Sequence, residues 1–290
     1  MAKYIAESRN NYLSLTKIMI EQKTNSKKTL SLLHKYYILI RNIRYKEYID
    51  EIEKIKNAEY ADFSSFSGIR KENFAKCIDQ WNNYISKNKI DYNNLDKYYS
   101  NCNTITNIED QYSRVNLYKV LKESIKSLNK KINYLDFGCG SGSLSFNFIK
   151  FFQEGYFLDF HSMSQEFLKY RINLNKDCRN NLHILEPQEI DKIKNNSLDI
   201  VLIYDVLEHL PNPSATLKKI SSKIKIGGFI VFRAPWGDTF FGKHPDHNIF
   251  SRKEMIKNGG MKLLKEKYAK IKSVCILDYY YKQGVFQKII

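Results

Sequence analysis

Cysteine is scarce and unpaired in pattern: Cys77, Cys102, Cys139, Cys178 and Cys275 are odd in number, scattered, and form no C-x-x-C unit. That spacing argues against a disulfide framework and a structural zinc site, and for a reducing compartment. No stretch approaches the ~18 consecutive apolar residues of a membrane-spanning helix. The opening MAKYIAESRNNYL has no apolar core of signal-peptide type, so a cytoplasmic protein is expected. Internal repeats are absent. Acidic side chains are in the minority, with 31 Asp and Glu against 47 Lys and Arg and a net charge of +16. The excess is even: 23 basic against 15 acidic residues in 1–130, and 24 against 16 in 131–290. Nucleic-acid binders concentrate positive charge on one element. The even spread therefore points away from nucleic acid and toward anionic small molecules or a general lysine bias.

Core formers are plentiful, with 21 Tyr, 17 Phe and 43% apolar residues, so the chain can bury one large core or two modest ones. The first third reads as helix. From Thr29 to Asn57 the residues Leu32, Leu33, Tyr36, Tyr37, Ile40, Ile43, Tyr48, Ile52 and Ile55 recur at three- and four-residue steps, the period of an amphipathic helix. Residues 2–22 repeat this less clearly. Asp62 to Gly68 has loop composition; helices are expected over Lys71–Lys87 and about Glu109–Asn129. From Ile132 short apolar runs alternate with helical patterns. Strands are expected at Asn133–Phe137, Gly155–Phe160, Leu182–Leu185, Asp199–Tyr204 and Gly228–Ala234, and helices at Leu144–Phe152, Gln165–Asn175 and Ser214–Lys223. This alternation predicts an α/β fold, a mostly parallel sheet with helices on both faces. The expected division is a helical region over 1–108, serving as a cap or dimerisation surface, and an α/β domain over 109–290.

The sharpest signal is Tyr134-Leu-Asp-Phe-Gly-Cys-Gly-Ser-Gly142, a strand running into D-x-G-x-G-x-G and then a helix. Gly138, Gly140 and Gly142 permit backbone angles and close approach that a Cβ forbids, so a ligand can lie at the strand's carboxyl end beside a helix N-terminus. Asp136 puts a carboxylate where a pyrophosphate would be repelled, which suits a cofactor with a cationic amine and no phosphate. Asp159 ends the next strand, 21 residues after Gly138, where an acid can grip ribose hydroxyls.

With these features the chain resembles class I S-adenosylmethionine-dependent methyltransferases over roughly Tyr134 to Tyr268. LDFGCGSGSL resembles the family's first motif and GYFLDF its second strand. Ser197 to Pro213 resembles the fourth strand and following loop, often FDVV…EVLEHL-x-x-P. Lys225-Ile-Gly-Gly228 resembles the K-P-G-G turn, with Ile226 in the place of proline. The resemblance implies a Rossmann-like seven-stranded sheet, S-adenosylmethionine as cofactor and S-adenosylhomocysteine as product. It places Asp136, Gly138, Cys139, Gly140 and Gly142 at the methionine end, Asp159 and Phe160 at the ribose, and Glu186 and Gln188 near the adenine. Tyr204 and Asp205 fall beside the reactive methyl. Leu185-Glu-Pro-Gln-Glu departs from the commoner Gly-Asp or Asp-Ala pattern, and His161-Ser-Met-Ser164 lengthens the loop after Asp159.

A hydroxyl acceptor must lose its proton, most economically to a neutral histidine. The candidates are His209, after the fourth strand, and His244 and His247 in Lys243-His-Pro-Asp-His247, after the fifth. A structural role competes for each. Asp205-x-x-Glu208-His209 also resembles the E-x-x-E-H segment by which some O-methyltransferases hold a divalent ion, an alternative role for Asp205, Glu208 and His209. The run His247-Asn-Ile-Phe-Ser251 is similar to small-molecule methyltransferases of the surface-polysaccharide and natural-product type, which implies O-methylation of a sugar, sugar phosphate or polysaccharide precursor. An RNA or protein methyltransferase is the alternative enzyme, although the N-P-P-Y-type turn is missing after the fourth strand. A non-catalytic S-adenosylmethionine-binding scaffold is the alternative outside catalysis.

Overall fold

The computed structural model describes residues 46–87, 104–234, 252–272 and 284–290. The chain separates into two units, Met1–Asn57 and Ala58–Ile290. The helices expected before residue 46 and the loop with His244 and His247 lie outside the described residues.

The second unit is built on seven strands: β1 Ile132–Phe137, β2 Phe152–Leu158, β3 Leu182–Leu185, β4 Leu198–Tyr204, β5 Ile224–Arg233, β6 Tyr268–Lys272 and β7 Gly284–Lys288. They form one sheet in the order β3-β2-β1-β4-β5-β7-β6. Strands β1 to β5 run parallel to one another, and β7 runs antiparallel to both β5 and β6. The architecture is the Rossmann-like, mostly parallel one that the sequence predicts. Every residue of β4, Leu-Asp-Ile-Val-Leu-Ile-Tyr, is buried, as a central strand covered on both faces requires. The core around it gathers Leu135, Ile203, Leu207, Leu217, Ile220 and Phe232 from strands and helices alike.

The helices are α1 Lys46–Ser67, α2 Phe74–Lys87, α3 Thr104–Ser113, α4 Val115–Ser127, α5 Ser143–Phe146, α6 Met163–Leu174, α7 Pro213–Lys223 and α8 Gly260–Lys267. Among the described residues no helix is long and apolar enough to cross a membrane.

Four local expectations change. Asp62 to Ser67 is the last turn of α1 rather than a loop, because Phe63 packs edge-on against Phe167 at 5.2 Å and Phe66 against Tyr170 at 5.4 Å. Gly68, at φ +74, ends the helix instead. The single helix expected over 109–129 is two, broken at Arg114 (φ −91, ψ 53). The helix expected from Leu144 to Phe152 is only one turn of α5 and a 3₁₀ turn, since Phe152 already pairs with Ile132 and stacks on Tyr134 at 4.5 Å. Lys225-Ile-Gly-Gly228 lies inside β5, where the register slips from Leu198↔Ile224 to Ile200↔Phe229; Gly227, at φ +80, supplies the bulge geometry.

Candidate active site at the carboxyl edge of the sheet

Strand order reverses between β1 and β4: one leads outward to β2 and β3, the other to β5 and beyond. The crevice outside the carboxyl ends at such a point is the standard ligand position of open α/β sheets. A cavity of about 150 Å³ lies there, walled by Phe137, Gly138, Leu158, Asp159, Phe160 and Val206, among others. Of the residues singled out from the sequence, it unites Gly138, Asp159 and Phe160.

Asp159 follows β2 directly. Its Oδ2 accepts the Gly140 N–H at 2.6 Å and its Oδ1 the Phe160 N–H at 2.8 Å, while Gln165 Nε2 donates to its carbonyl at 2.7 Å. The acid thus ties the glycine loop to the second strand and still lines the cavity. Burial pushes its carboxyl up to about 6, against the pull of the two N–H donors.

The glycines also meet close packing on the side where a Cβ would stand. A Cβ on Gly138 would stand 2.3 Å from Val206 Cγ2; one on Gly140 would meet the Gln111 and Asn107 amides at 3.2 and 3.3 Å; one on Gly142 would meet Leu168 at 3.0 Å. In the Cβ direction the loop is packed against the protein's own side chains, and Gly138 also lines the cavity. Their second contribution is conformational, with φ of +75, +54 and +64. Gly138→Ala should therefore cost about 2–4 kcal/mol, the sum of a left-handed backbone penalty and an overpacked Val206. Denaturant unfolding checks this. Adding Val206→Ala should recover part of the loss, because it relieves the contact and leaves the φ penalty.

The loop is braced from α3. Gln111 Nε2 donates to the Cys139 carbonyl at 2.8 Å and its Oε1 accepts the Leu144 N–H at 3.0 Å, while Asn107 donates to Ser164 Oγ at 2.9 Å. Sequence reasoning missed Gln111 and Asn107, because no local pattern marks a helical amide that pairs 28 to 57 residues away.

Asp136 is buried within β1, 4% exposed, and accepts from Ser145 Oγ at 2.5 Å. Burial pushes its carboxyl up to about 7 and the nearby Asp159 carboxylate adds to the rise. Cys139 is buried, and burial holds its thiol well above the usual range.

After β3 the cavity is lined by Pro187 and Ile190 rather than by the expected Glu186 and Gln188. The Glu186 N–H is capped by Glu189 Oε2 at 2.9 Å, and Gln188 is exposed with its amide on Glu186 at 2.6 Å. The Gly-Asp departure noted in the sequence thus corresponds to an apolar wall.

At the end of β4 a charged group adjoins the crevice. Asp205 holds φ +58, a left-handed conformation that is costly for a non-glycine residue. Its carboxylate lies 3.3 Å from Arg114 Nη2 and 3.1 Å from Arg233 Nε. Both guanidiniums sit over the Tyr204 ring, at 4.9 and 5.1 Å from its centre. Arg233 also donates to the Tyr204 hydroxyl at 3.2 Å. Arg114 occupies the break between α3 and α4, so the interruption that the sequence did not reveal delivers a cation to the site. Glu208 is fully buried, and burial, reinforced by Asp205, holds its carboxyl well above the usual range. His209 is partly exposed, with Nε2 3.7 Å from Glu208 Oε1. Among the described residues no group of three His, Cys, Asp or Glu side chains is placed to hold a metal ion; Asp205 is engaged by two guanidiniums instead.

Residues 135–230 match the family model described as a methyltransferase domain. No curated protein matches the chain. Among solved structures, a SAM-dependent methyltransferase from Aquifex aeolicus is 18% identical, with 61% of this chain and 93% of that one covered and a TM-score of 0.44. A type 11 methyltransferase from Sulfolobus solfataricus, itself an assigned rather than demonstrated one, is 15% identical over 56% and 86%, with a TM-score of 0.40. Likenesses at this level carry no argument about chemistry.

Proposed function

We propose that the protein, whose residues 135–230 match a methyltransferase domain, binds S-adenosylmethionine in the β1–β4 crevice and transfers its methyl group to a hydroxyl of a small acceptor. The observation that carries this is the pairing of Gly138 and Asp159 on one cavity wall at the switch point, amid apolar side chains. The donor set fits that group: a carboxylate for ribose hydroxyls and apolar flanks from Phe160, Ile190 and Leu210 for a flat base. Asp136, buried on Ser145 next to the cavity-lining Phe137, is the acid we assign to the cationic amine.

S-adenosylmethionine supplies an electrophilic methyl on a sulfonium. The protein's part is placement, which is worth a large share of the barrier in an in-line displacement. Asp159 fixes the nucleoside, Gln111 keeps the loop from shifting, and Asp205 with Arg114 and Arg233 frames the acceptor side. Both guanidiniums are paired with Asp205, and Arg114 with Asp110 as well, and the acceptor we favour is one with sugar hydroxyls. A sugar phosphate or polysaccharide precursor meets that description and agrees with the His247 to Ser251 pattern. His209 and, from the loop after β5, His244 and His247 are the candidate bases for the hydroxyl proton.

Calorimetry with S-adenosylmethionine tests the cofactor, and a mass-shift screen for one added methyl across sugar phosphates and their neutral counterparts tests the acceptor. His247→Ala should lower turnover at least tenfold while leaving cofactor affinity within about twofold. Unchanged turnover would remove His247 from the chemistry.

A further inference from the structure

Away from the cavity, one buried charge cluster has no part in the transfer just described. Glu59, in α1, is 1% exposed and Arg171, in α6, is 5% exposed. Glu59 Oε1 accepts from Ser143 Oγ at 2.5 Å and lies 2.9 Å from Arg171 Nη1, and its Oε2 accepts the Tyr112 hydroxyl. The Arg171 guanidinium rests 4.0 Å from the centre of the Phe146 ring. Ser143 opens α5 immediately after Gly142, and its Oγ lies 2.6 Å from Ser141 Oγ. One carboxylate thus gathers α1, α3, α6 and the end of the glycine loop.

Such a cluster is a poor source of bulk stability, since desolvating an ion pair offsets most of its attraction. Its geometric effect is larger. The loop holds three glycines at positive φ, and glycine loses more conformational freedom on ordering than any other residue. A ligand that had to order the loop would bind more weakly by that cost, so a restraint applied beforehand appears as affinity. Gln111 restrains the loop from one side; Glu59 is placed to restrain its helical end.

We propose that Glu59 is a positioning residue for the cofactor: through Ser143 it holds the glycine loop in its binding conformation, which makes residues well before the matched domain part of the cofactor site. The inference rests on the reading of S-adenosylmethionine as the ligand of that loop. Its reach is specific. The matched domain begins at residue 135, and Glu59 lies 84 residues before Ser143.

The test compares full-length Glu59→Ala, Glu59→Gln and Ser143→Ala with Asp199→Asn. Asp199 pairs with Lys130 at 2.7 Å and with the Asn133 N–H at 2.9 Å, at the opposite edge of the sheet. Dissociation constants for S-adenosylhomocysteine and exchange rates of the amides of residues 138–144 are measured well below each variant's unfolding midpoint. Glu59→Ala should raise the dissociation constant about tenfold or more and speed loop exchange. Ser143→Ala should do likewise, and the double variant should be no worse than the worse single one. Glu59→Gln, which keeps an acceptor for Ser143, should recover most of the loss. Asp199→Asn should lower the unfolding midpoint and leave both readouts unchanged. A folded Glu59→Ala or Ser143→Ala protein with native affinity and native loop exchange overturns the inference. So does an Asp199→Asn protein with the same affinity loss as Glu59→Ala. If Glu59→Ala does not fold, Glu59→Gln and Ser143→Ala decide alone. A native protein that does not bind S-adenosylhomocysteine overturns the functional reading, while loop exchange still reports on the Glu59 restraint.

Discussion

Replacing Asp159 with alanine is expected to weaken S-adenosylmethionine binding a hundredfold or more. The carboxylate lines the cavity while each of its oxygens takes one backbone N–H, Gly140 at 2.6 Å and Phe160 at 2.8 Å. A carboxylate oxygen has a second lone pair, so both remain able to accept a ribose hydroxyl. Hydrogen bonds to a charged group are worth about 1.5–3 kcal/mol each. Losing two removes roughly 3–6 kcal/mol, a hundredfold to ten-thousandfold in affinity. The substitution also leaves the Gly140 and Phe160 N–H groups without their acceptor, which loosens the loop. Asp159→Asn is expected to do nearly as badly. Its single carbonyl can satisfy only one of the two N–H groups and its amide nitrogen opposes the other. Calorimetry of both variants, with circular dichroism to confirm folding, checks this. A loss smaller than fivefold would take Asp159 out of the cofactor site.

The strands were legible where burial is two-sided. Leu198–Tyr204 and Ile132–Phe137 read as apolar runs because helices cover both faces of the sheet. The glycine loop was legible because positive φ restricts the residue type at Gly138, Gly140 and Gly142. The last turn of α1 was hidden, since Asp62 to Ser67 has the composition of a loop and becomes helical through Phe63 and Phe66 on α6. The start of β2 was hidden by Gln153 and Glu154, which interrupt its apolar pattern. The site divides along the same line. Asp159 announces itself by its spacing from the glycines, whereas Gln111, Arg114 and Glu59 act across 28 to 91 residues of sequence, where no local period reports them. The same glycines also let Val206, Asn107 and Leu168 pack close to the backbone, a role that their spacing does not announce.

Cofactor affinity is expected to rise between pH 5.5 and 7.5 while the ligand-free fold loses stability over the same span. Asp136 titrates near 7 and Asp159 near 6, both raised chiefly by burial from an ordinary value of 3.8. The folded state therefore holds more protons than the unfolded one between about pH 4 and 7. The stabilisation from the protonated acids is complete below about pH 4 and is lost as pH climbs through 6 and 7. For Asp136, at 4% exposure, ionisation in the ligand-free fold costs roughly 4 kcal/mol. A ligand with a sulfonium, an ammonium and two ribose hydroxyls reverses the preference, because each of these groups favours a carboxylate over a carboxylic acid. Binding must then expel protons, and affinity must increase until both acids are ionised in the free protein. Calorimetry near pH 6.5 in two buffers of different ionisation enthalpy measures the released protons directly. Asp136→Asn should abolish the part of the release centred near pH 7 and keep the part centred near 6. Asp159→Asn should abolish the part centred near 6 and move the Asp136 part to lower pH, since the Asp159 charge contributes to the rise of Asp136. Affinity that does not change between pH 5.5 and 7.5 would mean that neither carboxyl meets the ligand, and the crevice would then need a different occupant.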